Sequence, residues 1–233
     1  MSIMTTLTDH IALIRQLAAL PVARLHFDTG IEPVNVVSTY RYYTRRHPKY
    51  KIIAHKSWGA ALIDLRRHGT REHYLDSIKS KNFGAWHARR ARARGYIVTQ
   101  IDRNDHVDAI HDIHTSEDER QGRPMDARYQ EKQLAFDVLS NFSYFGVLDA
   151  AGRLVAYATI GRYGNFSSFA QLMGYRNNDG IMHLMVSDIV ARLIDEGRVD
   201  YVMYDTFFGA LPGLRQFKTI LGFEPYRARY SIQ

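Results

Sequence analysis

The hydrophobic pattern is most regular in the second half of the chain. Residues 144–149 and 154–162 read as strands, joined through the turn Ala150-Ala-Gly-Arg153, and residues 166–173 read as a third strand. After a polar loop at 175–180, residues 181–196 place Ile181, Leu184, Met185, Ile189, Leu193 and Ile194 on one helical face, and Gly197 caps the end. A short apolar strand at 201–204, a helix at 211–221, the break Gly222-Phe223 and a last strand at 226–232 complete this half. Strands in succession, then strands alternating with helices, predict a mixed sheet covered by helices, an α/β (α+β) fold.

Upstream, residues 8–20 have helical spacing that Pro21 ends. Residues 24–27, 34–43, 50–55 and 60–65 read as strands, rich in β-branched and aromatic residues. Helices are expected from Thr70 through Ile78 and over 80–94, the second closed by Gly95. A strand at 96–101 follows. The region then continues with a helix at 106–114, a polar segment at 116–128 and a further helix at 129–139. Residues 1–69 are expected to form an extension of a helix and strands packed on a main domain at 70–233.

The chain has 233 residues, 45% of them apolar, which is enough for a real core. It has no cysteine, which excludes disulfides, thiol nucleophiles and cysteine metal sites. The N-terminus has neither the positive cap nor the apolar stretch of a signal peptide, and no run of 18 apolar residues is present, so a cytoplasmic location without membrane contact is expected. The formal charge of +7 is unevenly spread: residues 41–103 carry sixteen Lys/Arg against four Asp/Glu, and residues 104–150 carry four against ten. Such asymmetry suits a polyanionic partner docking on one part of the surface, and equally suits a solvated basic face.

Three segments resemble known enzymes. The first is Ser80-Lys-Asn-Phe-Gly-Ala-Trp-His-Ala-Arg-Arg-Ala-Arg-Ala-Arg-Gly, a basic helix ending in glycine. The second is Tyr204-Asp-Thr-Phe-Phe-Gly, and the third is Phe217-Lys218 followed by Leu221-Gly222-Phe223. In order and spacing these resemble the GNAT acyltransferases, most closely the Fem-type branch, over residues 70–232. The resemblance implies a mixed, mostly antiparallel central sheet flanked by helices. It also implies direct transfer of an acyl or aminoacyl group to an amine acceptor, small molecule or peptide, with acyl-CoA or aminoacyl-tRNA as co-substrate and no permanently bound cofactor. CoA-dependent members place Gln/Arg-x-x-Gly-x-Gly/Ala before the long helix, where backbone amides hold a pyrophosphate. Here that stretch reads Gly174-Tyr-Arg-Asn-Asn-Asp-Gly, with different spacing and with Asp179 competing for the amides.

Acyl transfer to an amine requires an oriented amine, a proton acceptor and stabilisation of a tetrahedral oxyanion. Lys218 is the candidate for the oxyanion or for a phosphate, with Phe217 beside it and Asp205 at a strand end as amine holder or proton acceptor. Arg120 and Arg123 on a polar loop could clamp a carboxylate or phosphate, because the guanidinium fork grips both oxygens. Arg176 and Tyr204 join them as substrate-binding candidates. Lys81, Arg89, Arg90 and Arg94 crowd one helix and form the candidate donor or polyanion surface. His106, His111 and His114 match no metal-ligand spacing, so no metal is expected, and an exposed polar helix face accounts for them. The competing reading is a nucleic-acid-binding module without catalysis, drawn from the basic stretch and the interleaved Tyr40, Tyr42, Tyr43 and Trp58.

Overall fold

A computed structural model describes residues 17–48, 51, 53–80, 83–120 and 123–233. Of the expected first helix at 8–20, residues 8–16 lie outside them, and residues 17–19 are helical. The strands are β1 (Val22–Phe27), β2 (Trp58–Asp64), β3 (Ile97–Gln100), β4 (Glu119–Arg120), β5 (Arg123–Pro124), β6 (Phe142–Leu148), β7 (Leu154–Arg162), β8 (Phe166–Gly174), β9 (Tyr201–Thr206) and β10 (Glu224–Ile232). The helices are α1 (Pro33–Thr44), α2 (Arg71–Ser80), α3 (Gly84–Ala93), α4 (Val107–Thr115), α5 (Ala127–Gln130), α6 (Ile181–Glu196) and α7 (Pro212–Ile220).

Eight strands form one sheet in the order β1-β10-β2-β9-β8-β7-β6-β3, and β4 and β5 form a separate hairpin. The β1–β10 and β8–β9 pairs are parallel and the others in the sheet antiparallel. The expected mixed, mostly antiparallel sheet is therefore present. Residues before Thr70 contribute two of its strands, with β2 seated between β10 and β9.

Alternation along the strands sends side chains into two layers. On one face Ile63, Val147, Ala156, Ala158 and Val202 meet Tyr74 and Ile78 of α2 and Met185, Ile189 and Val190 of α6. On the other, Phe27, Leu62, Phe166 and Met203 meet Val36 and Tyr43 of α1, while Leu154, Tyr157 and Met173 meet Ile110 and Ile113 of α4.

Three expected elements differ. Residues 34–43 are helical, not a strand. Pro33 pre-sets the first turn, and Val36 and Tyr43 fall on one helical face, so an apolar stripe at helical spacing outweighs the strand propensity of valine and tyrosine. The segment around 50–55 contains no strand among its described residues; it makes a single bridge from Ala54 to Arg46. The helix expected at 129–139 ends at Gln130. Beyond it Leu134 and Val138 point outward while Phe136 packs inward, and the chain forms neither helix nor strand. Asn104 holds this strap by accepting from the Phe136 amide at 2.8 Å and donating to its carbonyl at 3.2 Å.

Candidate active site

The parallel partners β8 and β9 pair only from Phe166–Tyr201 to Ser168–Met203, although β8 continues to Gly174 and β9 to Thr206. Beyond Ser168 the two strands part. Both carry a bulge at that level. On β8, Thr159 and Ile160 oppose Gln171 and Phe169, leaving Ala170 as the extra residue. On β9, Ala60 and Leu62 oppose Thr206 and Met203, so β9 holds one residue more across Tyr204–Asp205. Asp205 takes φ 53°, one of two non-glycine residues with positive φ among the described residues. A bulge with a left-handed residue re-aims side chains at a strand end and stores strain there.

The bulge splits Tyr204 and Asp205 between the two sides of the sheet. Tyr204 packs edge-on against Phe169, Phe217 and Phe223, at centroid separations of 5.7, 6.5 and 5.9 Å. Burial holds its hydroxyl well above the ordinary tyrosine range. Asp205 remains half exposed and ion-pairs with Lys56. Beside it Tyr43 and Ser168 share a buried hydrogen bond of 2.9 Å, and Tyr230 donates to the Lys56 carbonyl at 2.8 Å.

Lys218 closes this end of the sheet from α7. The residue is only 1% exposed. Its Nζ donates to the Thr206 carbonyl at 2.8 Å and lies 4.6 Å from the Tyr204 ring centroid. Burial pulls its ammonium down to about 8, with Lys56 acting the same way and Asp205 opposing both. A lysine titrating there is part cation, part amine near neutral to mildly basic pH, and can both stabilise negative charge and pass a proton.

On the Asp205 side of the sheet lies a groove of about 320 Å³ lined by Arg103, Phe136, Phe142, Tyr144 and Thr159. The Arg103 guanidinium sits between the rings of Tyr144 and Phe136, 4.1 and 4.7 Å from their centroids, and donates to the Asp137 carbonyl at 2.6 Å. The cross-strand row Tyr144–Thr159–Gln171 leads from the groove to the bulge on β8, and Thr159 Oγ1 lies 3.2 Å from Gln171 Oε1. One cleft edge thus runs from an aromatic-clamped arginine toward the point where β8 and β9 part.

The structure brings Lys218, Asp205, Phe217 and Tyr204 together. Arg176 is exposed, 3.8 Å from Glu117. Arg120 and Arg123 face each other in backbone register on the β4–β5 hairpin. Arg89 is exposed on α3, Arg90 lies 5.4 Å from the Trp86 ring centroid, and Lys81 is outside the described residues. Arg94 ion-pairs with Asp179, which also accepts from the Tyr96 hydroxyl at 2.8 Å. His114, expected on an exposed face, is buried and lies 2.5 Å from the Tyr157 hydroxyl. Among the described residues no three His, Asp or Glu side chains are grouped to hold a metal. No helix among them is long and apolar enough to cross a membrane. Lys56, Ser168 and Arg103 are residues that the sequence reading did not select for the site; Lys56 and Arg103 were marked only by lying in the basic stretch, and Tyr43 only under the nucleic-acid-binding reading.

The start of α6, where CoA-dependent relatives are expected to hold a pyrophosphate, is crowded. Gly180 has φ 86°, and a Cβ on it would lie 2.4 Å from the His87 carbonyl oxygen. His183, one turn into α6, stacks on His87 at 4.4 Å and 19° and meets Phe217 at 4.8 Å. Burial pushes its imidazole down to about 4, assisted by His87.

Among solved structures, FemX superposes with a TM-score of 0.56 at 12% identity, covering 72% of this chain and 59% of that one. The fold is GNAT-like, of the Fem type. A conserved protein of unknown function from Bacteroides thetaiotaomicron VPI-5482 superposes with a TM-score of 0.51 at 15% identity, over 73% of this chain and 59% of that one. The chain thus spans under two thirds of the length of these neighbours. No protein-family model matches the chain, and no curated protein matches its sequence.

Proposed function

We propose that this chain is an N-acyltransferase that moves an acyl or aminoacyl group from an activated ester or thioester to an amine. The observation that carries the reading is the buried Lys218 at the point where β8 and β9 part, its ammonium lowered to about 8 and facing Asp205 across the end of β9. Within a GNAT-like fold, this is a built charge at a strand end, with the Arg103 groove on the Asp205 side of the sheet.

In the proposed reaction the amine nitrogen attacks the carbonyl carbon of the donor. A C–N bond forms as the C–O or C–S bond breaks. Asp205 holds the incoming ammonium in place of Lys56 and takes one proton from it, which frees the nitrogen lone pair for attack and is later released to solvent. Lys218 stabilises the oxyanion, gives a proton to the leaving oxygen or sulfur, and takes back the second proton that the nitrogen loses as the amide forms. Arg103 and the rings beside it supply the acceptor groove. The crowded start of α6, with Asp179 already paired to Arg94, supports a donor whose phosphates bind elsewhere, and so favours aminoacyl-tRNA over CoA.

The test is transfer to a panel of amines from acyl-CoA and from aminoacyl-tRNA, with Lys218→Met as control. Product formation that depends on Lys218 supports the reading. Steeply salt-dependent RNA binding with no transfer from either donor would replace it with the nucleic-acid-binding reading.

A further inference from the structure

The end of α1 gathers positive charge around one aromatic ring. Arg41, Arg45 and Arg46 are exposed and make no ion pair among the described residues. The Arg45 guanidinium lies 4.4 Å from the centroid of Tyr42, whose ring is 43% exposed, and Lys56 Nζ lies 5.8 Å from the same centroid. His55 Nε2 lies 3.3 Å from the Tyr42 hydroxyl, and the His55 Nδ1 is buried with no hydrogen-bond partner among the described residues.

The arrangement is held by backbone. The His55 amide donates to the Arg45 carbonyl at 2.8 Å, and the Lys56 amide to the Tyr43 carbonyl at 3.1 Å. Burial lowers the His55 imidazole from its ordinary value, with Lys56, Arg45 and His47 adding to the effect. The dipole of α1 favours cations at its C-terminus and accounts for Arg41 and Arg45. It does not account for Lys56 and His55, which come from a separate segment and converge on the same ring. The one carboxylate that ion-pairs within this group among the described residues is Asp205, through Lys56.

We propose that Arg45, His55 and Lys56, arranged around Tyr42, with Arg41 one helical turn before Arg45, bind a phosphate group of the activated donor. The proposal rests on the transferase reading and assigns the donor's anion to the α1 end, not to the start of α6. Arg45 presents a planar fork that can grip two phosphate oxygens, and Lys56 a point charge on a third. Because Lys56 also touches Asp205, a phosphate held here lies within one side chain of the end of β9.

The probe is inorganic pyrophosphate, titrated into the isotope-labelled full chain, with amide shifts locating the site and calorimetry giving Kd. Shifts at residues 41–47 and 53–57 are expected. Arg45→Glu should weaken binding about tenfold or more, because a charge-assisted hydrogen bond is lost and repulsion added. Arg128→Glu on α5 should leave Kd unchanged. Coenzyme A and a short single-stranded RNA are then used as competitors, and the one that displaces pyrophosphate identifies the source of the phosphate. Shifts centred on residues 179–183, equal weakening in both variants, no saturable binding, or displacement by neither competitor would overturn the proposal. Binding needs no transfer assay, so the two readings fail separately. Pyrophosphate bound at the α1 end of a chain that transfers from no donor sinks the transferase reading alone. An active enzyme whose donor KM is unchanged in Arg45→Glu sinks the phosphate site alone.

Discussion

Lys218 Nζ donates its hydrogen bond to the carbonyl oxygen of Thr206, 2.8 Å away, from a side chain that is almost wholly buried. A single neutral acceptor and the face of Tyr204 are modest compensation for an ammonium taken out of water. Lys218→Met keeps the stem and its packing and removes the charge. Its thermal midpoint is therefore expected to equal or exceed that of the wild type, since replacing a poorly compensated buried charge by an isosteric apolar group is neutral or stabilising. Turnover should fall on the order of a hundredfold, roughly 3 kcal/mol, if the ammonium meets charge that develops in the transition state. Steady-state kinetics and a melt on one preparation decide it; a lower midpoint with normal turnover marks a structural lysine.

The same burial has a pH signature. The ammonium is at about 8 in the fold against an ordinary 10.5, so between those values the unfolded chain binds more protons than the folded one. Stability must then rise with pH through that window, and the cost of burying the charge is fully present below about 8. Denaturant melts of wild type and Lys218→Met across this range should show the wild type gaining on the variant. Parallel curves would place the charge of Lys218 elsewhere.

Asp205 occupies φ 53° on the bulge of β9. Asparagine tolerates this left-handed conformation and glycine adopts it freely, whereas a β-branched residue is strained there. Asp205→Asn and Asp205→Gly should fold with little change in midpoint, while Asp205→Val should lose about 1–2 kcal/mol. All three remove the carboxylate, so the acceptor KM should rise in the two stable variants. An unchanged KM in Asp205→Asn would remove Asp205 as the amine holder.

The sheet was legible because its second half is simply punctuated: short, largely apolar runs bounded by turns from Phe142 to Gly174, and an apolar stripe on α6. The conformation of α1 was not, because Val34, Val36, Val37, Tyr40 and Tyr43 carry strand propensity and only the packing of Tyr40 and Tyr43 against Phe27 reveals the helical stripe. Lys218, Asp205, Phe217 and Tyr204 were recognisable from local segments that resemble a known family. Lys56, Ser168 and Tyr43 were not, since Lys56 and Asp205 are 149 positions apart and Tyr43 and Ser168 are 125 apart. Such pairs follow from strand order, with β2 inserted beside β9, and no spacing in the chain encodes that.

The stacked pair His87–His183 supplies the last prediction. Both imidazoles lie below their ordinary value because burial disfavours the cation, and His183 falls to about 4 against 6.5. Between these values the unfolded chain binds the proton that the folded chain refuses, so stability is lost as pH falls through the window. For His183 alone the loss amounts to about 3 kcal/mol at the acid end. His183→Phe keeps an aromatic ring against Phe217 and His87 and cannot protonate. The variant should therefore match the wild type near pH 7 and exceed it increasingly toward pH ~4.5. Urea melts at both pH values measure the difference directly. An acid loss of the same size in both proteins would assign it to carboxylates and leave the histidine pair as packing.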